Sequence, residues 1–203
     1  MGIQERKERE KREMRESIIE AARELFVREG VEKTSLRAIA KKIEYSPATI
    51  YLYFKDKDEI LYAVHEKAFR MFLEDFKKVS VIENPMERLR ELGRQYVRFA
   101  MKHPEYYDLM FIVRAPMASH KTHEEHYIGR ESYDFLHATV QECIEKGYMR
   151  EQNTHKAAFM IWSYVHGSVS LYIRERMTMY PPERVDDLLT GAFELFADAA
   201  RHI

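Results

Sequence analysis

Apolar residues recur every three to four positions along most of the chain, and few segments alternate apolar with polar. A period near 3.6 places such residues on one helix face, whereas a half-buried strand needs a period of two. Only seven glycines and six prolines interrupt the 203 residues, so the periodic stretches can run long. An all-α fold follows. Apolar residues make up 45% of the chain, enough to bury a sizeable core. Charged residues make up 33%, with a net charge of −1, a balance that excludes general disorder.

The single cysteine, Cys143, rules out an intrachain disulfide and a Cys-rich metal framework. Residues 1–16 are dense in charge and read as neither a signal peptide nor an anchor. No apolar run is long enough to span a bilayer, so the expected location is cytoplasmic, with no membrane partner. The net charge hides an asymmetry. From Lys33 to Lys57 there are six basic residues (Lys33, Arg37, Lys41, Lys42, Lys55, Lys57) against Glu44 and Asp56, a local +4, so the rest carries −5. A basic segment on a mildly acidic body suits a protein with one nucleic-acid face.

Local signals divide the chain into about nine helices. The first is expected to start within the charged tail and reach about Glu29, with Ile18, Ala21, Ala22, Leu25 and Phe26 as its stripe and Gly30 as a left-handed cap. The tail QERKEREKREMRE reads as a solvated helical extension rather than as an arm touching DNA. Thr34 or Ser35 can cap a short helix over 36–43. Ser46, with Pro47 at the first helical position, can open a second over 47–54. Asp56 and Glu59 form a capping-box pattern before a helix carrying Leu61, Val64, Ala68, Phe72 and Phe76. Asn84-Pro85 opens the next, and His103-Pro104 breaks it. An aromatic-rich helix over 105–113 follows, then one over 120–146 closed by Gly147, and two more over 154–176 and 183–202.

Residues 34–54 thus read as two short helices around a tight turn, with Leu36, Ile39, Ala40, Ile43, Ile50 and Phe54 as the apolar positions. Small Ala40 lets the second helix cross closely. The remaining positions are basic, hydroxyl-bearing or aromatic, as needed to place one helix in a major groove while its neighbour touches phosphates.

The stretch TSLRAIAKKIEYSPATIYLYFKDKDEIL, Thr34 to Leu61, resembles the TetR family of transcriptional regulators. About ten positions agree at fixed spacing, and IIEAARELFVREGVEKTS is similar to that family's first helix. The resemblance is strong over residues 15–65 and architectural beyond. It implies a helix-turn-helix domain over 1–60 and a ligand-binding and dimerisation domain over 61–203. It also implies a homodimer on palindromic double-stranded operator DNA, released when a small-molecule effector, hydrophobic or aromatic, binds. No cofactor is implied.

Position by position, the resemblance gives Arg37 a base-reading role, since Arg can grip guanine O6 and N7. It puts Pro47, Ala48 and Thr49 at the leading end of the recognition helix, makes Tyr51 and Tyr53 phosphate-binding aromatics, and makes Lys57 a phosphate clamp. The caps Ser35 and Ser46 complete the DNA-binding set. Leu52 and Tyr53 have a plainer role open to them, packing between helices, and Lys41 and Lys42 read as solvated. Glu44 departs from the family pattern, which often has glycine there. In a left-handed turn it would cost roughly 1 kcal/mol, and it is expected to point away from DNA.

In the C-terminal part, Val185, Leu188, Leu189, Ala192, Phe196, Ala199 and Ile203 form one broad face of the last helix. Gly167, Ser168 and Ser170 in the helix before it can admit a close neighbour. The resemblance makes this pair half of a four-helix dimer interface, an intrachain core being the plainer reading. The middle helices are rich in aromatics and methionine, which suit an adaptable pocket. The candidate ligand contacts are Tyr96, Phe99, Tyr107, Met110, Phe111, Arg114, Tyr127, Trp162 and His166. His120, His123 and His126, three apart, cannot all grip one ion from a single regular helix, so no metal site is expected. Nothing in the chain carries a nucleophile motif, a phosphate loop or a zinc-protease pattern, so an enzyme is not expected. A DNA-binding regulator controlled by a protein partner stays open as the alternative.

Overall fold

The computed structural model describes residues 2–113, 128–150 and 152–202. Among these the protein is all-helical, with nine α-helices and no strand. By its internal contacts the chain forms two compact units, Met1–Ala68 with Leu109–Glu124, and Phe69–Asp108 with Glu125–Ile203.

The first unit holds α1 (Ile3–Glu29), α2 (Leu36–Lys42), α3 (Pro47–Tyr51) and the opening turns of α4 (Lys57–Lys77). Its core combines Ile18, Ala22, Leu25 and Phe26 of α1 with Ile39, Ala40, Ile50, Phe54, Ile60, Leu61 and Val64. Arg15 lies over the Phe54 ring, 4.9 Å from its centroid, a cation–π contact from α1 to the end of the helix-turn-helix. Lys42, expected to be solvated, pairs with Glu24 at 2.6 Å and ties α2 to α1.

Local capping follows the sequence with some corrections. Ser35, not Thr34, caps α2, accepting from Ala38 N–H; the Thr34 hydroxyl is buried and donates to the Gly30 carbonyl. Gly30 has φ 83° and ψ 151°, a positive-φ conformation distinct from the left-handed helical one and suited to glycine alone. Asp56 caps α4 by accepting from Glu59 N–H, but Glu59 reaches back to the Lys55 amide rather than to that of Asp56. The recognition helix ends at Tyr51 instead of running to Phe54. After α2 the chain turns through Glu44, at φ 61°, with Tyr45 N–H donating to Ala40 O and Glu44 N–H to Lys41 O. That is the paired closure of a Schellman motif, built here around a glutamate.

The second unit holds the remainder of α4, then α5 (Pro85–Lys102), α6 (Pro104–Tyr107), α7 (Ile128–Glu145), α8 (Thr154–Ile173) and α9 (Val185–Ala199). Asn84 caps α5, accepting from the amides of Met86 and Glu87, and Pro85 occupies the first position. α5 packs against α7, α8 and α9. Two buried arginines brace it: Arg88 pairs with Glu142 on α7, and Arg90 with Glu194 and Asp198 on α9. Beyond α6 the backbone is wound as a π-helix over Asp108–Ile112, which the expected regular helix over 105–113 did not include. The expected start of α7 at His120, with His123 and His126, lies outside the described residues.

The faces of the last two helices also differ from expectation. α9 buries Val185, Leu189, Phe193 and Ala197, while Leu188, Ala192 and Phe196 are half-buried and Leu195 and Ala199 exposed. The packed stripe is therefore rotated from the broad face read in the sequence, of which Ile203 lies outside the described residues. α8 and α9 are short of their expected ends, and three-residue 3₁₀ turns flank α9. At Gly167 nothing lies within 4 Å of where a Cβ would sit, so no described helix of this chain makes the expected close approach there.

Candidate functional site

The helix-turn-helix of the first unit presents one polar surface. Ile39, Ala40, Ile50 and Phe54 are buried beneath it, so the opposite positions of α2 and α3 face outward. Ser35, Arg37, Ser46, Pro47, Ala48 and Tyr51 are all exposed, while Thr49 and Tyr53 are half-buried. Ser46 fixes the start of α3, accepting from Thr49 N–H, and its Oγ lies 3.2 Å from the Thr49 hydroxyl. Tyr51 extends from the end of α3, 59% exposed. Among the described residues no acid pairs with Arg37, near the start of α2; the nearby ion pairs join Lys42 to Glu24, and Lys67 to Glu16 and Glu20. Glu44 is exposed, outside the packed face.

Two residues differ from their sequence reading. Leu52 does not pack between helices: it is 77% exposed. Lys57 is half-buried, and its ammonium donates to the carbonyls of Val31 (2.7 Å) and Glu32 (3.4 Å). It closes the α1–α2 loop, which leaves one of its three protons for a phosphate.

In the second unit four of the candidate ligand contacts come together. The hydroxyls of Tyr96 and Tyr107 lie 3.1 and 2.8 Å from His166 Nδ1, and Tyr107 also donates to the His166 carbonyl at 3.1 Å. The Tyr107 ring stacks on the imidazole, and the Trp162 ring lies 5.9 Å from it. Burial holds the imidazole below its ordinary pKa, so it is neutral near pH 7, and raises both phenols well above theirs. The cluster is thus an uncharged hydrogen-bonding group inside aromatic surroundings. Phe99 is buried nearby, edge-on to Phe72, which in turn meets Tyr96. Met110, buried, and Phe111, half-buried, belong to the first unit. Arg114 and Tyr127 lie outside the described residues.

Sequence reasoning passed over His65. It sits on the apolar stripe of α4, 5% exposed, and its Nε2 has no hydrogen-bond partner among the described residues. Burial lowers its pKa to about 4, against a smaller opposite effect of a hydrogen bond to the Leu109 backbone. Its only sequence signal is a histidine between Leu61 and Ala68 on a face otherwise apolar.

Among the described residues no helix is long and apolar enough to cross a membrane, and no group of three or more His, Cys, Asp or Glu could hold a metal ion. Family models match both parts of the chain. The tetracycline repressor-like C-terminal domain matches residues 89–196, just over half the chain, and the bacterial regulatory proteins of the tetR family match residues 18–64. An uncharacterized HTH-type transcriptional regulator of Haemophilus influenzae is 33% identical over 95 residues, 46% of this chain and 51% of that protein. The chain spans about half, or less, of the length of the curated relatives it matches. Among solved structures, the fatty acid degradation regulator FadR from Bacillus halodurans shares the fold at TM-score 0.74 and 20% identity, over 90% of this chain and 94% of that one. AibR, solved in complex with isovaleryl coenzyme A and operator DNA, does so at TM-score 0.64 and 22% identity, over 88% and 96%. At these identities the likeness is one of fold. The two family models together, laid over the helix-turn-helix and the helical unit beyond it, place the chain in the tetracycline repressor-like family of DNA-binding transcriptional regulators rather than in an enzyme family.

Proposed function

We propose that the protein is a ligand-responsive repressor, a homodimer that binds a palindromic operator and releases it when a small hydrophobic or aromatic effector enters its C-terminal part. In this reading residues 1–60 bind DNA and residues 61–203 bind ligand and dimerise. Arg37 reads a base edge, and Pro47 and Ala48 meet thymine methyls. Ser35, Ser46, Thr49, Tyr51, Tyr53 and the remaining Lys57 proton hold phosphates. The observation that carries the effector half is the neutral Tyr96–His166–Tyr107 cluster, with the Trp162 ring beside it. It offers an apolar ligand a few oriented polar contacts, the usual composition of a small-molecule site. Support comes too from AibR, whose structure holds an acyl-coenzyme A together with operator DNA.

Homodimerisation is supported by apolar side chains left on the surface of the last helices, Phe159 and Leu171 on α8 and Leu195 on α9. Among the described residues nothing lies within 4 Å of a Cβ at Gly167 or Gly191, room in which a partner helix can approach. Sedimentation at micromolar concentration is expected to show a dimer.

α4 is continuous from Lys57 in the first unit to Phe72 and Phe76 in the second. An effector bound better at one tilt of α4 would shift the recognition helices, by no more than its differential affinity allows. Selection of bound fragments from genomic DNA gives the operator. Ligand affinity is then measured with and without saturating operator. Reciprocity requires the same weakening in both directions, typically about 1–3 kcal/mol. Equal affinities in the two conditions would discard that ligand as an inducer and favour control by a protein partner.

A further inference from the structure

The charges on the extended N-terminal end of α1, a solvated extension by its sequence, are not equivalent in the fold. Arg6 pairs with Glu10 at 2.8 Å, and Arg9 with Glu13 at 3.6 Å, each one turn along the helix. Lys7 and Lys11 pair with no acid among the described residues. These two lysines share a face, and that face borders an open hollow of about 720 Å³ whose other wall is the helix-turn-helix. The wall consists of Tyr45, just before α3, and Leu52 and Tyr53, just after it. Tyr45 is 51% exposed and Leu52 77%, large side chains whose apolar surface is left largely uncovered by the described residues. Glu10 and Glu13 also line the hollow, but their charges are offset by Arg6 and Arg9.

We infer that this hollow is a second DNA contact, holding the sugar–phosphate backbone of one strand beside the groove that α3 enters. The occupant follows from charge and chemistry. Two unpaired ammonium groups, about 6 Å apart along the helix, face a wall with two phenol hydroxyls that can donate to phosphate oxygens and a leucine that can lie on deoxyribose. The wall belongs to both ends of the recognition helix, so a strand in the hollow is continuous with the surface carrying Arg37, Ala48 and Tyr51. Of the cations on this part of α1 that pair with no acid among the described residues, Lys7 and Lys11 are the ones that line the hollow, while Arg12 lies outside it. The contact reads no sequence; it adds affinity and sets orientation.

This inference rests on the DNA-binding reading above, and one experiment separates their failures. Binding of the full chain to a mixed-sequence duplex of about 30 base pairs, long enough for two half-sites and flanks, is followed by fluorescence anisotropy over a salt series. The comparison is between the native chain, Lys7→Ala/Lys11→Ala, Arg12→Ala and Lys7→Arg/Lys11→Arg. All the positions are exposed and all the replacements favour helix, so folding is retained and is checked by circular dichroism. Each phosphate that a variant no longer neutralises lowers the slope of log affinity against log salt by about one. The alanine pair is expected to lower it by about two per bound protomer, with weaker binding at every salt concentration, while the arginine pair keeps the native slope. Arg12, on the same helix but outside the hollow, is expected to leave it unchanged. A native slope in the alanine pair, or an equal decrease per charge at Arg12, overturns the inference. A native chain that binds no duplex overturns the DNA-binding reading itself.

Discussion

Gly93 on α5 and Phe193 on α9 share one space. A Cβ on residue 93 would fall 2.0 Å from Phe193 Cε1 and Cζ, so the ring lies directly on the glycine backbone. Phe193 is 2% exposed, and Arg90, one turn before Gly93, reaches Glu194 beside it. Glycine is needed at 93 for close approach, not for an unusual φ.

Gly93→Ala should therefore destabilise the second unit strongly. Overpacking a filled core costs about 1–3 kcal/mol, and this substitution falls at the upper end because a ring cannot yield as a flexible chain can. Urea denaturation of Gly93→Ala, Phe193→Leu and the double variant should show clear non-additivity, the smaller side chain recovering part of the stability. Additive effects would mean that α9 simply moves away.

His65 makes a prediction in pH. Its folded pKa of about 4 lies below the ordinary 6.5, so between these values the unfolded chain binds more protons. The neutral ring's contribution is complete above pH 6.5 and declines as pH falls toward 4. The full effect is roughly 3 kcal/mol. Replacing His65 with Leu should flatten the stability profile in that window, read by thermal denaturation at several pH values. An unchanged slope would show that His65 is not buried in solution.

Glu44 holds φ 61° at the closure of α2. Glu44→Gly relieves a left-handed penalty but adds freedom to the unfolded chain, for a net gain of about 0.5–1 kcal/mol. Glu44→Ala should bring no gain, since alanine carries the same penalty. A lower melting temperature for Glu44→Gly would contradict the turn geometry.

On DNA, Arg37→Ala should lose roughly 1–3 kcal/mol of discrimination at one base pair per half-site. Tyr51→Phe should weaken all sequences alike. Lys57→Ala should do so too and also loosen the α1–α2 loop, because the ammonium holds the Val31 and Glu32 carbonyls. Operator titrations against single-base variants separate these outcomes. Uniform weakening in Arg37→Ala would remove its base-reading role.

What the sequence by itself determined was where the capped helices begin and which stretch forms the helix-turn-helix. Caps act within about four residues: Ser35 on Ala38, Ser46 on Thr49 and Asn84 on Met86 are all local, and Pro47 and Pro85 stand at first positions whatever surrounds them. The helix-turn-helix was legible for the same reason, its spacing being internal to one short stretch. Only the tertiary structure decided which face of α9 is packed, because Leu188 and Leu189 are equally apolar and a neighbouring helix chooses between them. It also decided partners far apart in the chain: Lys57 to Val31 across 26 residues, Tyr107 to His166 across 59, and Arg90 to Glu194 across 104. No local pattern encodes such pairs, since each depends on two elements reaching the same place. His65 and the hollow beside Lys7 and Lys11 escaped the sequence for the same reason, as burial and exposure are properties of the packed helices and not of the residues alone.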